Sequence, residues 1–89
     1  MDVKVVDYDN NEGYVDYEVT GLSKDQLEFL KDNLEEEFSI ADDILKIRMY
    51  FDNELFPFNS EIAKFKLEDF IAREEIEMNV FLSGLLEEL

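Results

Sequence analysis

The sequence predicts a small α+β domain of order ββαββα, with a mostly antiparallel sheet and an acidic helix. Three observations carry this expectation. Two β-branched or alternating runs near the N-terminus flank a turn rich in Asn and Gly. A capping box then opens a segment whose apolar residues recur three and four apart. Further alternating segments follow, and the chain closes on a helical tail. At 89 residues the chain is read as one domain, 1–89.

Val3, Val5 and Val6 lie in a β-branched run that predicts a strand over about 3–8. Asp9, Asn10, Asn11, Glu12 and Gly13 form a turn, because Asn and Gly tolerate positive φ. From Tyr14 to Val19 the chain alternates, with Val15, Tyr17 and Val19 on one side and Asp16 and Glu18 on the other. The two runs make a hairpin. Ser23-Lys24-Asp25-Gln26 is the capping box, and Leu27, Leu30, Leu34 and Phe38 form a stripe that carries the helix to about Phe38.

Leu45, Ile47, Met49 and Phe51 alternate with Lys46, Arg48 and Tyr50, a third strand. An irregular connection is expected through Asp52-Asn53-Glu54 and Phe56-Pro57-Phe58. Ala63, Phe65 and Leu67 alternate with Lys64 and Lys66, which reads as a fourth strand; residues 60–73 also fit one helix, since Ile62, Phe65 and Phe70 follow a helical period. From Glu68 to Leu89 the tail reads as helix, with Leu67, Ile71, Met78, Leu82, Leu85 and Leu89 on one stripe and Phe70 and Phe81 beside it. Glu74 interrupts that stripe while Ile76 and Val80 point the opposite way, so a kink near 73–77 or a short extended stretch at 76–80 is expected.

Twenty-four acidic side chains face eight basic ones, a net charge of −16, and the chain has no Cys, His or Trp. Disulfides, thiolate zinc sites, Cys nucleophiles and a His general base are thereby excluded. With 46% hydrophobic and 13% aromatic residues the chain is too apolar for disorder. The N-terminus has no basic leader before an apolar run, and no apolar run approaches the ~20 residues that span a bilayer. A cytoplasmic protein without membrane contact is expected. The charge also opposes direct binding of nucleic acid or anionic lipid, so the expected partner surface is basic.

Local chemistry is sparse. Asp7 to Glu18 is similar to a calcium-binding EF-hand loop, but Glu12 stands where that loop needs Gly, Tyr14 where it needs an aliphatic residue, and strands replace the flanking helices. Paired carboxylates at Asp42-Asp43, Glu74-Glu75 and Glu87-Glu88 are too common in so acidic a chain to mark a catalytic pair. There is no glycine-rich phosphate loop and no Gly-x-Ser-x-Gly elbow. No enzyme activity, cofactor or metal is therefore expected.

The acidic helix carries the functional expectation. Opposite its Leu27/Leu30/Leu34/Phe38 face stand Asp25, Asp32 and Glu36, flanked by Glu28 and Glu35, with Phe29 among them. Asp25, Glu28, Phe29, Asp32, Glu35 and Glu36 are the candidate partner-binding residues, with Phe29 as anchor if exposed; alternatively Phe29 packs under the tail helix or a loop. Lys46, Arg48, Lys64 and Lys66 would form one basic patch if their strands paired. A charge of −16 exceeds the magnitude of about 2 to 8 that solubility asks of a small domain. A helix rising about 1.5 Å per residue spaces its acids at intervals comparable to DNA phosphates, about 3.4 Å apart per strand.

In size, acidity and absence of catalytic residue types, with Asp25, Glu28, Asp32, Glu35, Glu36 and Glu37 and the Asp7–Glu18 hairpin as the matching features, the chain resembles small acidic phage anti-defence proteins of the anti-CRISPR and DNA-mimic kind. The resemblance implies an inhibitor that occupies the basic cleft of a nucleic-acid-binding protein or nuclease, acting in the host cell cytoplasm if phage-encoded. Two other expectations stand beside it: a structural module forming a homodimer through Ile76, Val80 and Phe81, and a Ca²⁺- or Mg²⁺-dependent enzyme or sensor.

Overall fold

The computed structural model describes residues 1–9 and 11–51, the backbone of 61–67, and residues 68–89 in full. Its elements are β1 (Asp2–Asp9), β2 (Tyr14–Thr20), α1 (Lys24–Asn33), β3 (Glu37–Ala41), β4 (Ile44–Tyr50) and α2 (Glu61–Leu86). The strands form one sheet of order β1-β2-β4-β3, antiparallel at every pairing. The α+β class and the ββαββα order match the sequence reading, but two of the elements that fill the order do not.

The β1–β2 hairpin closes as its residue types dictate. The Asp9 carboxylate accepts hydrogen bonds from the N–H groups of Asn11 and Glu12, at 2.8 and 3.1 Å, and fixes the turn. Gly13 adopts φ 76°, a conformation costly for residues with a Cβ. The register slips between Val5 and Asp7, which leaves Val6 bulged and 52% exposed. Val3 and Val5 thereby face inward while Asp7 returns to the outer face.

Helix α1 opens on the predicted capping box. The Ser23 hydroxyl accepts from the Gln26 N–H at 3.1 Å, and the Gln26 side chain accepts from the Ser23 N–H at 2.8 Å. The helix does not reach Phe38. It ends at Asn33, Leu34 is extended at φ −77° and ψ 131°, and the Asn33 amide donates to the Phe29 carbonyl at 2.7 Å. Continuing it would have placed Glu35, Glu36 and Glu37 at the negative end of the helix dipole. Phe38 instead lies on β3, half-buried against the core, and it joined the helical stripe only because four residues separate it from Leu34.

Strand β3 was not anticipated. It joins β4, the expected third strand, through the two-residue turn Asp42-Asp43, whose φ values of 54° and 61° are those of a type I′ hairpin. The fourth strand expected at residues 63–67 is helix, part of a continuous α2, and residues 76–80 stay helical. Alternation over five residues was too short to outweigh the helix formers that follow it. The irregular connection expected at 52–58 lies outside the described residues.

Both helices cover one face of the sheet. Val3, Val15, Tyr17, Val19, Leu45 and Ile47 meet Leu27 and Leu30 of α1 and Phe70, Met78 and Leu82 of α2. Each such side chain contributes roughly 1.5–3 kcal/mol by leaving water. Glu74 is buried in this layer, where the Tyr17 hydroxyl donates to its Oε2 at 3.0 Å. That bond explains how an acid interrupts the apolar stripe of α2. The two sheet edges differ. At β1, Glu75 of α2 reaches over and its Oε2 accepts the Val5 N–H at 2.8 Å. Among the described residues no side chain caps β3 in that way.

Candidate functional site

The acidic face of α1 is built by the same periodicity that buries Leu27 and Leu30. Asp25, Glu28 and Asp32, three and four residues apart, are exposed. At about 1.5 Å rise per residue they step along the axis by about 4.5 and 6 Å. Among the described residues none of the three forms an ion pair. Lys24 and Lys31 stand on the same helix, Lys31 in the last turn where the dipole favours a cation.

The other three candidates are placed differently. Phe29 is half-buried and packs against the core, so it is not an exposed anchor among the acids. Glu35 and Glu36 lie beyond the helix, in the connection to β3, and the five-acid helical row does not exist. Glu35 is exposed and continues the acidic surface. Glu36 is half-buried, with Oε2 enclosed and without a hydrogen-bond partner.

The outer face of the sheet holds a second cluster that sequence reasoning missed. Register sets Asp7, Asp16, Arg48 and Glu37 in one row across the four strands. Arg48 donates to both oxygens of Asp16, at 2.7 and 3.0 Å, and its Nε lies 3.8 Å from Glu37. Its guanidinium stacks on Tyr14 with 3.8 Å to the ring centroid, and Tyr14 meets Tyr50 edge to face. The Tyr50 hydroxyl donates to Glu37 at 3.3 Å. Lys46 stands opposite Glu18 in the neighbouring row. The strand pairing that would have joined Lys46 and Arg48 to Lys64 and Lys66 in one basic patch does not form: positions 64 and 66 belong to α2, and Arg48 is neutralised by carboxylates. The signal that could have found this row was the pairing of two alternating strands, but their register is not written in either strand alone.

Three of the five acids of the Asp7–Glu18 segment are committed to local structure. Asp7 accepts the Tyr8 N–H at 2.9 Å, Asp9 holds the turn, and Asp16 holds Arg48. Among the described residues no three acids converge into a metal-holding group.

At Glu74 burial pushes the carboxyl above its usual range, opposed by the Tyr17 hydrogen bond and reinforced by nearby Glu77. Burial also pushes the Tyr17 phenol up, and the charge of Glu74 adds to it, so the phenol stays a donor. On α2, Ile76 and Val80 are 65% and 67% exposed, one turn apart, and Phe81 is 39% exposed. No described helix is long and apolar enough to cross a membrane.

No curated protein matches this sequence. A family model spans residues 2–88, nearly the whole chain, and the protein belongs to that family, DUF5750, a family of unknown function.

Proposed function

We propose that this domain is a non-catalytic binding module that docks its acidic surface on a basic, nucleic-acid-binding surface of a partner protein and blocks it as a nucleic-acid mimic. The observation that supports this reading is the exposed row Asp25, Glu28 and Asp32, unpaired among the described residues and continued by Glu35. Unpaired acids in a chain of net charge −16 cost stability through self-repulsion, and a basic partner would relieve that cost while steering association. An inhibitor of a phage-defence nuclease is one form of this reading.

The test is affinity capture from a bacterial lysate, followed by competition. The reading expects a basic nucleic-acid-binding protein that elutes with salt and is displaced by duplex DNA or RNA. Capture that resists both salt and nucleic acid would contradict it.

A second reading, a homodimer through α2, is favoured by the exposure of Ile76 and Val80 on one outward face. Sedimentation separates the two: a dimer lost in Val80→Glu would favour assembly.

A further inference from the structure

The two edges of the sheet are managed differently, and the difference points to a binding mode. At β1, Glu75 caps the outward Val5 N–H at 2.8 Å and so occupies one of the groups that an added strand would need. At β3 the two-residue turn makes Ala41 and Ile44 a hydrogen-bonded pair, so Ala41, Ser39 and Glu37 direct their backbone groups to β4. The N–H and C=O groups of Phe38 and Ile40 therefore face outward, and among the described residues nothing bonds them. Beside this edge runs a groove of about 620 Å³ between β3 and α1. Leu27, Phe38 and Ile40 supply its apolar surface, and Lys24, Glu28 and Lys31 its helical wall.

We propose that the β3 edge and this groove bind an extended segment of a partner protein as a fifth strand, one with apolar residues at alternate positions and Lys or Arg on both flanks. Outward backbone groups supply pairing, and alternate side chains of the segment enter the groove beside Leu27, Phe38 and Ile40. Charge selects the flanks. Glu35, Glu36 and Glu37 precede the apolar centre of β3, and Asp42 and Asp43 follow it. The same charges oppose a second copy of this chain. Antiparallel pairing centred on Ser39 would set Glu35 and Glu36 of one copy against Asp43 and Asp42 of the other, and like charges directly opposite are destabilising. The inference rests on the reading of the domain as a binder of basic partners and adds how the chain of that partner is gripped.

The probe is an amidated peptide, Lys-Lys-Ile-Thr-Val-Lys-Lys, titrated into the full chain by fluorescence anisotropy and amide NMR. Binding should protect the Phe38 and Ile40 amides from hydrogen exchange. Replacing every Lys of the peptide by Glu, or N-methylating alternate backbone nitrogens, should weaken binding by about tenfold or more. Asp42→Asn/Asp43→Gly keeps the turn type while removing two acids, and should weaken binding and flatten its salt dependence. Equal affinity for the N-methylated peptide, or protection confined to other amides, would overturn the proposal. So would protection of the β3 amides by self-association without peptide. If β3 pairing fails while a captured partner is still displaced by DNA, only this inference falls; if the peptide pairs but no captured partner is displaced by nucleic acid, only the mimicry reading falls.

Discussion

The Tyr17 hydroxyl, on the central strand β2, donates to Glu74 Oε2 on α2 at 3.0 Å, inside the apolar layer between sheet and helix. Together with the Val5 N–H bond to Glu75, this contact pins the long helix to the sheet at a fixed rotation. Slipping α2 by one residue would withdraw Glu74 from its donor and leave a buried carboxylate unpaired.

Tyr17→Phe should therefore destabilise the fold by about 1–3 kcal/mol at neutral pH, because it strands the carboxylate while keeping the ring. Glu74→Leu removes the need for the bond and should cost less than Tyr17→Phe, or stabilise, with the double mutant close to Glu74→Leu alone. Urea denaturation of the three variants checks the cycle.

The raised Glu74 carboxyl also sets a pH dependence. Its folded form holds the proton more tightly than its unfolded form, so its contribution is complete below the ordinary glutamate range, about 4.3, and is lost as pH rises through the folded value. Stability should increase on acidification from pH 7 towards pH 5, and Glu74→Gln should reduce that slope. Parallel urea midpoints across this range supply the measurement; an unchanged slope in Glu74→Gln would remove Glu74 from the account.

Arg48 holds together a row of carboxylates that otherwise repel. Asp7, Asp16 and Glu37 share its row on the sheet, and Arg48 alone supplies positive charge there. Arg48→Ala should lower the urea midpoint slightly, since the pair is partly exposed, and the loss should shrink as salt screens the acids. For the parent, screening should raise the melting temperature between about 20 and 300 mM NaCl, because net repulsion exceeds the few ion pairs.

The turn at Asp42-Asp43 stores a removable cost. Both residues occupy left-handed conformations that Asn and Gly adopt more readily. Asp42→Asn/Asp43→Gly should stabilise the hairpin by about 0.5–1 kcal/mol, read as a raised melting temperature.

This turn also shows where the sequence was legible. The β1–β2 hairpin announced itself through Asn11 and Gly13, and the α1 start through Ser23 and Gln26, because these residues act on their nearest neighbours. Asp42-Asp43 lacks the usual Asn-Gly or Asp-Gly signature, so the β3–β4 hairpin stayed hidden and Phe38 was absorbed into the helical stripe. Glu36 was misplaced by the same extension, since a helix ending at Asn33 puts it in the connection to β3; Phe29 lies within α1 either way, and of its two expected placements the packed one holds. The role of Glu74 depended on a partner 57 residues away, which no local pattern records.

In the proposed function the acidic face of α1 engages a basic, nucleic-acid-binding surface. Asp25→Lys/Asp32→Lys tests it most directly, because both side chains are exposed, whereas Glu36 has an enclosed oxygen and its reversal would disturb the fold. The measurement is displacement of labelled DNA or RNA from the captured partner, with circular dichroism showing that the variant is folded. The parent should displace the nucleic acid, more weakly as salt rises, and the folded double variant should not. A folded variant that displaces it as well as the parent would contradict the claim.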